Sequence, residues 1–129
     1  MKGKENIRSY KELRVFQKAF ELAMEIYEIT KRFPSEEKYS MTDQIRRSSR
    51  SVCTNIGEAW RKRRYKAAFI SKLSDSETEA AECQIWTAFA RRCGYMSDSK
   101  SDYFDAEYDR VIAQIVTMIE GVDKWLILK

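Results

Sequence analysis

Cations are concentrated between residues 46 and 66, where they could bind the phosphates of a nucleic acid. This stretch holds one acid, Glu58, against eight basic residues: Arg46, Arg47, Arg50, Arg61, Lys62, Arg63, Arg64 and Lys66. Such a density can neutralise several phosphates, and the rings of Trp60 and Tyr65 could stack on bases. No helix-turn-helix or other base-reading motif is present, so we expect sequence-independent binding to RNA or DNA. The alternative is a solubilising helix end whose cations face the helix dipole.

A polar line lies beside this cluster of cations. On a helical wheel, Gln44, Ser51, Asn55 and Glu58 fall within about 60° of one another, next to the predicted core line. Because partly covered amides and carboxylates need hydrogen-bond partners, we expect Asn55 and Glu58 to bond to a neighbouring helix or subunit. Ligand binding and catalysis are the other interpretations of this line. Gly57, on a different side of the helix, is predicted to let a backbone or a bulky ring approach.

An acidic flank follows on the third predicted helix. Its members share one exposed side of that helix, with Lys72 among them, and they are Asp75, Glu79, Glu82 and Trp86. A basic flank on one subunit could meet this acidic flank on another and so register the subunits head to tail. Alternatively, both flanks are solvated, and their isolated ion pairs then contribute only about 0–1 kcal/mol each. The candidate residues for interhelix or subunit contacts are therefore Gln44, Ser51, Asn55, Glu58, Asp75, Glu79, Glu82 and Trp86.

Composition argues against most kinds of active site. The chain has no histidine, which removes the commonest general base and transition-metal ligand. Its three cysteines lack CxxC spacing, which disfavours a zinc site or a disulfide scaffold and indicates reduced thiols in the cytoplasm. No signal peptide or membrane-length apolar run is visible. We predict no catalytic residue, no metal, no cofactor, no small-molecule substrate and no membrane partner.

Long helices are needed to position the cations and the two flanks. The 129 residues include one proline and four glycines, and this scarcity of turn residues favours a few long helices over a β fold. Hydrophobic periodicity predicts helices at about residues 9–33, 40–63, 66–93 and 101–127 of a single domain, 1–129. A capping box at residues 9–12 starts the first of them. With short connections, these helices form an all-α, up-down-up-down four-helix bundle.

The first predicted helix is apolar around more of its circumference than one core requires. One stripe consists of Leu13, Phe16, Phe20, Ala23 and Tyr27, and a second of Val15, Ala19, Leu22, Ile26, Ile29 and Phe33. Together they cover about 200°, whereas a helix that faces one core needs about 100°. Either the helix packs between two neighbours of its own bundle, or the second stripe faces another subunit.

Charge is distributed unevenly along the chain. Residues 1–66 hold 17 basic and 9 acidic residues, whereas residues 67–129 hold 7 and 11, so a net charge of +4 divides into +8 and −4. The basic half could meet a nucleic acid, or it could meet the acidic half of another copy.

The run FPSEEKYSMTDQIRRSSRSVCTNIGEAW, residues 33–60, resembles the signature of the four-helix-bundle proteins named after the 23S rRNA intervening sequence. Residues 13–27 and 61–95 are also similar to members of that family. Mild departures are Met41 for leucine, Gly57 for alanine and Cys53 for a frequent proline. The matching positions are Phe33, Pro34, Glu37, Tyr39, Gln44, Ile45, Arg46, Arg47, Ser51, Asn55, Ile56 and Glu58.

The resemblance implies a left-handed four-helix bundle that assembles into a homo-oligomer, typically a five-membered ring. It implies no established enzymatic activity. A related bundle, the accessory variability protein of diversity-generating retroelements, is a basic pentamer that associates with nucleic acid, which is evidence at the level of the fold only. We therefore expect a non-enzymatic homo-oligomer that binds nucleic acid non-specifically. The alternative is a protein-interaction scaffold without a nucleic-acid role.

Overall fold

Four α-helices account for most of the chain, as the all-α prediction required. The computed structural model describes residues 7–127, and within that range it contains no β-strand. Helix α1 spans Arg14–Thr30, α2 spans Met41–Arg61, α3 spans Lys66–Arg92 and α4 spans Asp98–Glu120. Single 3-10 turns lie at Tyr10–Glu12, Ser35–Glu37 and Val122–Lys124.

Neighbouring helices run antiparallel. Arg46 in α2 bonds to Thr30 at the end of α1, whereas Gly57, three turns further along α2, faces Tyr10 just before α1 begins. The other neighbouring helices show the same reversal. Helices α2 and α3 are joined by the contacts Ser48–Glu82 and Glu58–Lys72. Helices α3 and α4 are joined by Thr87–Ser101 and Gln84–Asp105, and α1 and α4 by Glu25–Tyr103 and Lys18–Glu107. The helices therefore follow the predicted up-down-up-down order around one core.

The predicted capping box belongs to a 3-10 turn and not to the first α-helix. Ser9 Oγ accepts a hydrogen bond from the Lys11 backbone N–H at 3.2 Å, and the Glu12 carboxylate accepts one from the Arg8 N–H at 3.3 Å. Leu13 then has an extended backbone, with ψ of 127°, so α1 begins only at Arg14. The sequence signal was genuine, but a capped turn of three residues satisfies it as well as a long helix does.

The fourth helix begins and ends earlier than predicted. Ser97 is its N-cap, and its hydroxyl accepts a hydrogen bond from the Lys100 N–H at 3.1 Å. Ser101, where we expected the helix to begin, is buried and donates to the Thr87 carbonyl of α3. At the other end α4 stops at Gly121, so Trp125 lies beyond the helix and packs against Trp60 with ring centroids 6.4 Å apart.

The second apolar stripe of α1 faces the core of the bundle. Val15, Ala19, Leu22 and Ile26 are all buried. The hypothesis that this stripe faces another subunit is therefore wrong, because the bundle's own core covers it. The apolar side chains left on the surface come from the other side of the helix, where Phe20 is 51% exposed and Met24 is 48% exposed.

A buried carboxylate joins α1 to α4. Glu107 is only 7% exposed, and its carboxylate pairs with Lys18 Nζ at 2.6 Å and with the Arg110 guanidinium. The hydrogen bond from Lys18 holds the pKa of Glu107 below its usual range, although partial burial acts in the opposite direction. The ionised carboxylate therefore stabilises the folded chain above the ordinary glutamate pKa of about 4.3.

Replacing Glu107 should reveal this contribution through its pH dependence. At neutral pH, Glu107→Gln should lower the free energy of unfolding by about 1 kcal/mol, because a charged hydrogen bond is lost. The difference from the wild type should shrink as pH falls below about 4.3, where the wild-type carboxylate takes up its proton. Urea denaturation across this pH range measures both quantities. Exposed Glu36→Gln is the control, and a difference that does not change with pH would contradict the assignment.

Gly57 lies against an aromatic ring, as its missing side chain suggested. The Tyr10 ring covers it, and a Cβ built at Gly57 would meet the nearest ring carbon at 3.8 Å. This is ordinary van der Waals distance, so the ring approaches the helix closely and still leaves room for a methyl group. The Tyr10 ring therefore does not exclude a side chain at position 57. Glycine lowers the stability of a helix interior, and no closer packing compensates for this loss in α2.

Gly57→Ala should consequently stabilise the protein by about 0.5–1 kcal/mol, the usual difference between glycine and alanine in a helix interior. Gly94→Ala is the matched comparison, since Gly94 has φ of +81° and should lose about 1 kcal/mol on gaining a Cβ. Chemical denaturation of both variants gives the two signs. Destabilisation by Gly57→Ala would show that the Tyr10 ring cannot accept the methyl group.

Candidate nucleic-acid and subunit interfaces

The eight cations that were predicted to bind nucleic acid lie in different environments. Arg46 takes part in the contact between two helices. Its Nε donates to Thr30 Oγ1 at 2.8 Å, and a terminal nitrogen donates to the Tyr27 carbonyl at 3.4 Å. The guanidinium also lies over the Tyr27 ring, 4.9 Å from its centroid. These contacts place a cation at the C-terminal end of α1, where it meets the negative end of the helix dipole. Arg46 therefore links α1 to α2 and is not a freely presented charge.

Arg63 is likewise engaged by the fold. Its guanidinium carbon is 3.5 Å from the centroid of the Trp60 ring, and its Nε donates to the Trp60 carbonyl at 2.8 Å. Burial, with a smaller effect of Arg61, lowers the pKa of Arg63. The Arg63 carbonyl accepts a hydrogen bond from the Ile127 N–H at 3.0 Å. Arg63 thus ties the turn between α2 and α3 to the C-terminal segment.

Three further cations are exposed with weak partners. Arg47 approaches Asp43 one turn away at 3.9 Å, and Lys66 approaches the exposed Asp123 at 3.4 Å. Arg50 has its guanidinium carbon 5.9 Å from the centroid of the Tyr27 ring. Exposed pairs of this kind contribute little energy, so an incoming anion can compete for these side chains.

The last three cations form a group that we call the turn cluster: Arg61, Lys62 and Arg64. All three are exposed, and no carboxylate within residues 7–127 pairs with any of them. Tyr65 beside them is also exposed. Arg50 is 11 residues before Arg61, about 16 Å along the helix, so the predicted basic block does not form one compact site. The unpaired cations gather at the end of the bundle where α2 turns into α3.

Residues of the predicted polar line have different partners. The Asn55 side-chain amide donates to the Ser51 carbonyl of its own helix at 2.9 Å, not to a neighbouring helix as we expected. Glu58 pairs with Lys72 of α3 at 2.9 Å, and this hydrogen bond raises the pKa of Lys72. Gln44 is exposed. Glu58 alone of these residues links α2 to α3 within residues 7–127.

The acidic flank of α3 is partly used by the fold. The Glu82 carboxylate accepts hydrogen bonds from Ser48 Oγ of α2 at 3.0 Å and from Trp86 Nε1 at 3.1 Å. Asp75 and Glu79 form no ion pair within residues 7–127. Burial, followed by the nearby charges of Glu82 and Asp75, raises the pKa of Glu79. Arg47 of α2 partly opposes this rise, and the charge of Asp75 acts on Lys72 of the same helix, so cations of the same chain lie near both acids.

Two apolar surfaces were not recognised in the sequence as sites. An open groove of about 430 Å³ lies between α1 and α2, lined by Tyr10, Phe16, Phe20, Cys53, Gly57 and Arg61 among others. On α3, Ile85 and Phe89 are each more than half exposed, and the Phe89 ring lies 5.7 Å from that of Trp86. The signal for the groove was present in the first apolar stripe of α1. The signal on α3 was a pair of apolar residues four positions apart in the sequence.

The three cysteines differ in burial. Burial raises the pKa of Cys53 to about 12 and that of Cys83 to about 12, so both thiols stay protonated, whereas Cys93 is exposed. No group of three cysteine or acidic side chains within residues 7–127 could hold a metal ion. In the same range, no helix has the length and apolar character needed to cross a lipid bilayer.

Comparison with known proteins assigns the chain to a family. The model of the 23S rRNA-intervening sequence protein family matches residues 11–117. A crystal structure of a Bacteroides thetaiotaomicron protein from the S23 ribosomal protein family, a protein of unknown function, is 28% identical with a TM-score of 0.74. The alignment covers 82% of this chain and 98% of that one. A search of curated proteins finds no match. The chain therefore belongs to the 23S rRNA-intervening sequence protein family.

Proposed function

We propose that this protein is a non-enzymatic, self-associating helical bundle that binds RNA or DNA independently of sequence, through the turn cluster. The observation that carries the proposal is the exposure of Arg61, Lys62 and Arg64 without a carboxylate partner within residues 7–127. Tyr65 beside them offers a ring for stacking on an unpaired base. The reduced thiols of Cys53 and Cys83 fit a reducing compartment, so we place the protein in the cytoplasm.

Phosphate contacts of this kind are individually weak and salt-sensitive. Each cation that neutralises a phosphate releases condensed counterions, and the binding constant then falls steeply with salt concentration. Three contacts on one copy give low affinity. Copies joined in an oligomer would present the turn cluster repeatedly to one strand, and this multiplies weak contacts into useful avidity. The proposed self-association and the proposed nucleic-acid binding therefore support each other.

A protein-interaction scaffold is the second candidate, and the exposed apolar side chains favour it. Phe20 and Met24 on α1, with Ile85 and Phe89 on α3, are each about half exposed. Aromatic residues and methionine are enriched in protein–protein interfaces. Under this alternative the turn cluster solubilises the bundle end, and the apolar surfaces carry the function.

Nucleic-acid binding is tested by fluorescence anisotropy with labelled single-stranded and double-stranded oligonucleotides at low salt. Changing Arg61, Lys62 and Arg64 together to alanine should weaken binding to every sequence. It should also reduce the slope of log K against log salt by about 2–3 per copy, because three phosphate contacts are lost. Arg64→Ala alone should reduce the slope by about 1. Since Arg64 does not line the α1–α2 groove, this variant separates phosphate binding from assembly.

The matched control removes the same charge elsewhere. Arg14, Arg32 and Arg92 are exposed and have no ion-pair partner within residues 7–127, and together they can be changed to alanine. This control should retain most of the wild-type slope. An equal loss in both triple variants would assign binding to net charge, and absence of wild-type binding at low salt would leave the scaffold alternative standing.

Self-association is tested by light scattering coupled to size-exclusion chromatography. We expect a mass that is a multiple of 15.3 kDa, and five times this value if the ring implied by the family resemblance forms. The physical reason is the exposed apolar surface on α1 and α3, which association would cover. A particle of 15.3 kDa at micromolar concentration would refute this part of the proposal.

A further inference from the structure

Three aromatic rings follow one another along the wall of the α1–α2 groove. The Tyr10 and Phe16 rings meet edge to face with centroids 4.8 Å apart, and the Phe16 and Phe20 centroids are 6.0 Å apart. Phe20 is 51% exposed. The same three rings line a second open recess of about 420 Å³, together with Gln17 and other residues near the start of α1. The rings therefore border two open recesses and leave aromatic surface accessible in both.

Arginines lie at both ends of the groove. Arg50, Thr54, Gly57 and Arg61 follow one another at intervals of four, three and four residues, so they share one side of α2 within about 60°. Thr54, Gly57 and Arg61 line the groove, and Arg50 continues the same side of the helix one turn further on. Lys62 lines the groove beside Arg61. Both arginines are exposed, and neither pairs with a carboxylate within residues 7–127.

The acids near the rings leave the groove with a positive charge. Glu58 lines the groove, but its carboxylate pairs with Lys72 of the same chain at 2.9 Å. Glu21 lines only the second recess, which Lys11 also lines. The two cations that line the groove have no such partner within residues 7–127. The groove is therefore aromatic along its length and cationic at its ends.

We infer that the α1–α2 groove binds a single strand of nucleic acid, with unpaired bases stacked on Phe16 and Phe20 and with phosphates held at Arg50 and Arg61. The inference rests on the proposed nucleic-acid binding, to which it adds a site for the bases and a preference for single strands. A positively charged groove with aromatic side chains is the arrangement by which proteins bind single strands without reading their sequence.

The form of the groove favours this occupant over other anions. Arg50 and Arg61 are about 16 Å apart along α2, a distance that an extended polyanion spans and a single phosphate ion does not. In a duplex the faces of the bases are stacked on one another, so a base must leave the stack before it can meet a ring. An acidic peptide would match the cations and leave the rings without a partner.

Fluorescence anisotropy with two strands of equal length and charge tests the site. One strand is an oligothymidine, and the other has the same number of phosphates but an abasic site in place of every base. The wild type should bind the oligothymidine more tightly, because the abasic strand offers phosphates alone. Phe20→Leu should weaken oligothymidine binding by about 5-fold to 100-fold, the usual effect of removing one stacking ring. It should leave binding of the abasic strand unchanged.

Salt dependence separates the rings from the cations. Phe20→Leu should keep the wild-type slope of log K against log salt, because no phosphate contact is lost, whereas Arg50→Ala should reduce the slope by about 0.7 on both strands. Phe20→Tyr, which restores a ring, should recover the loss of oligothymidine binding. The matched control is Phe89→Leu on α3, where the side chain is 52% exposed and lies outside the groove, and this variant should bind like the wild type.

Two further measurements, circular dichroism and light scattering, check that Phe20→Leu keeps the wild-type fold and mass. An altered mass together with an equal loss of both strands would assign the groove to contacts between copies and overturn the inference.

The other outcomes separate this site from the proposed function. A wild type that binds neither strand removes both. Equal binding of the two strands, or oligothymidine binding that Phe20→Leu does not weaken, leaves the proposed function standing and overturns the site for the bases. Tighter binding of a duplex than of the oligothymidine overturns the preference for single strands.

Discussion

A helix in a four-helix bundle can bury only part of its circumference, and α1 carries more apolar surface than that part. The stripe that contains Leu22 and Ile26 fills the core, and about 100° is enough for this purpose. The remaining apolar side chains, Phe16, Phe20 and Met24, stay beside α2 or in solvent. This excess produces the groove between α1 and α2 and leaves apolar side chains exposed on the outer side of α1.

Much of the fold was predictable from the sequence, because helix length and core pattern are local properties. The periodicity of apolar residues predicted four helices, and the short connections between them predicted the up-down-up-down order. The helix ends were harder, since the sequence predicted that helices start at Ser9 and Ser101. Only the packing shows that Ser9 caps a 3-10 turn and that Ser101 is buried against α3, with Ser97 as the true cap of α4.

The candidate site was less predictable because it depends on contacts between distant positions. Arg46 and Arg61 are alike in the sequence, yet Tyr27 and Thr30 of another helix engage the first and nothing within residues 7–127 pairs with the second. The Arg63 guanidinium is engaged by the ring and the carbonyl of Trp60. The sequence located the cluster of basic residues. Only the packing of the helices shows which of these cations are exposed and could bind an anion.

Residues of the family signature act largely on the fold. Glu37 accepts hydrogen bonds from Ser40 and Tyr95, so it joins the turn before α2 to the turn after α3, and these bonds lower the pKa of its carboxylate. Arg46 links α1 to α2, and Ile45 and Ile56 are fully buried. A signature built from such positions identifies the bundle reliably and carries little information about a partner. Function must therefore be sought at positions outside those structural roles, and the turn cluster and the two apolar surfaces are such positions.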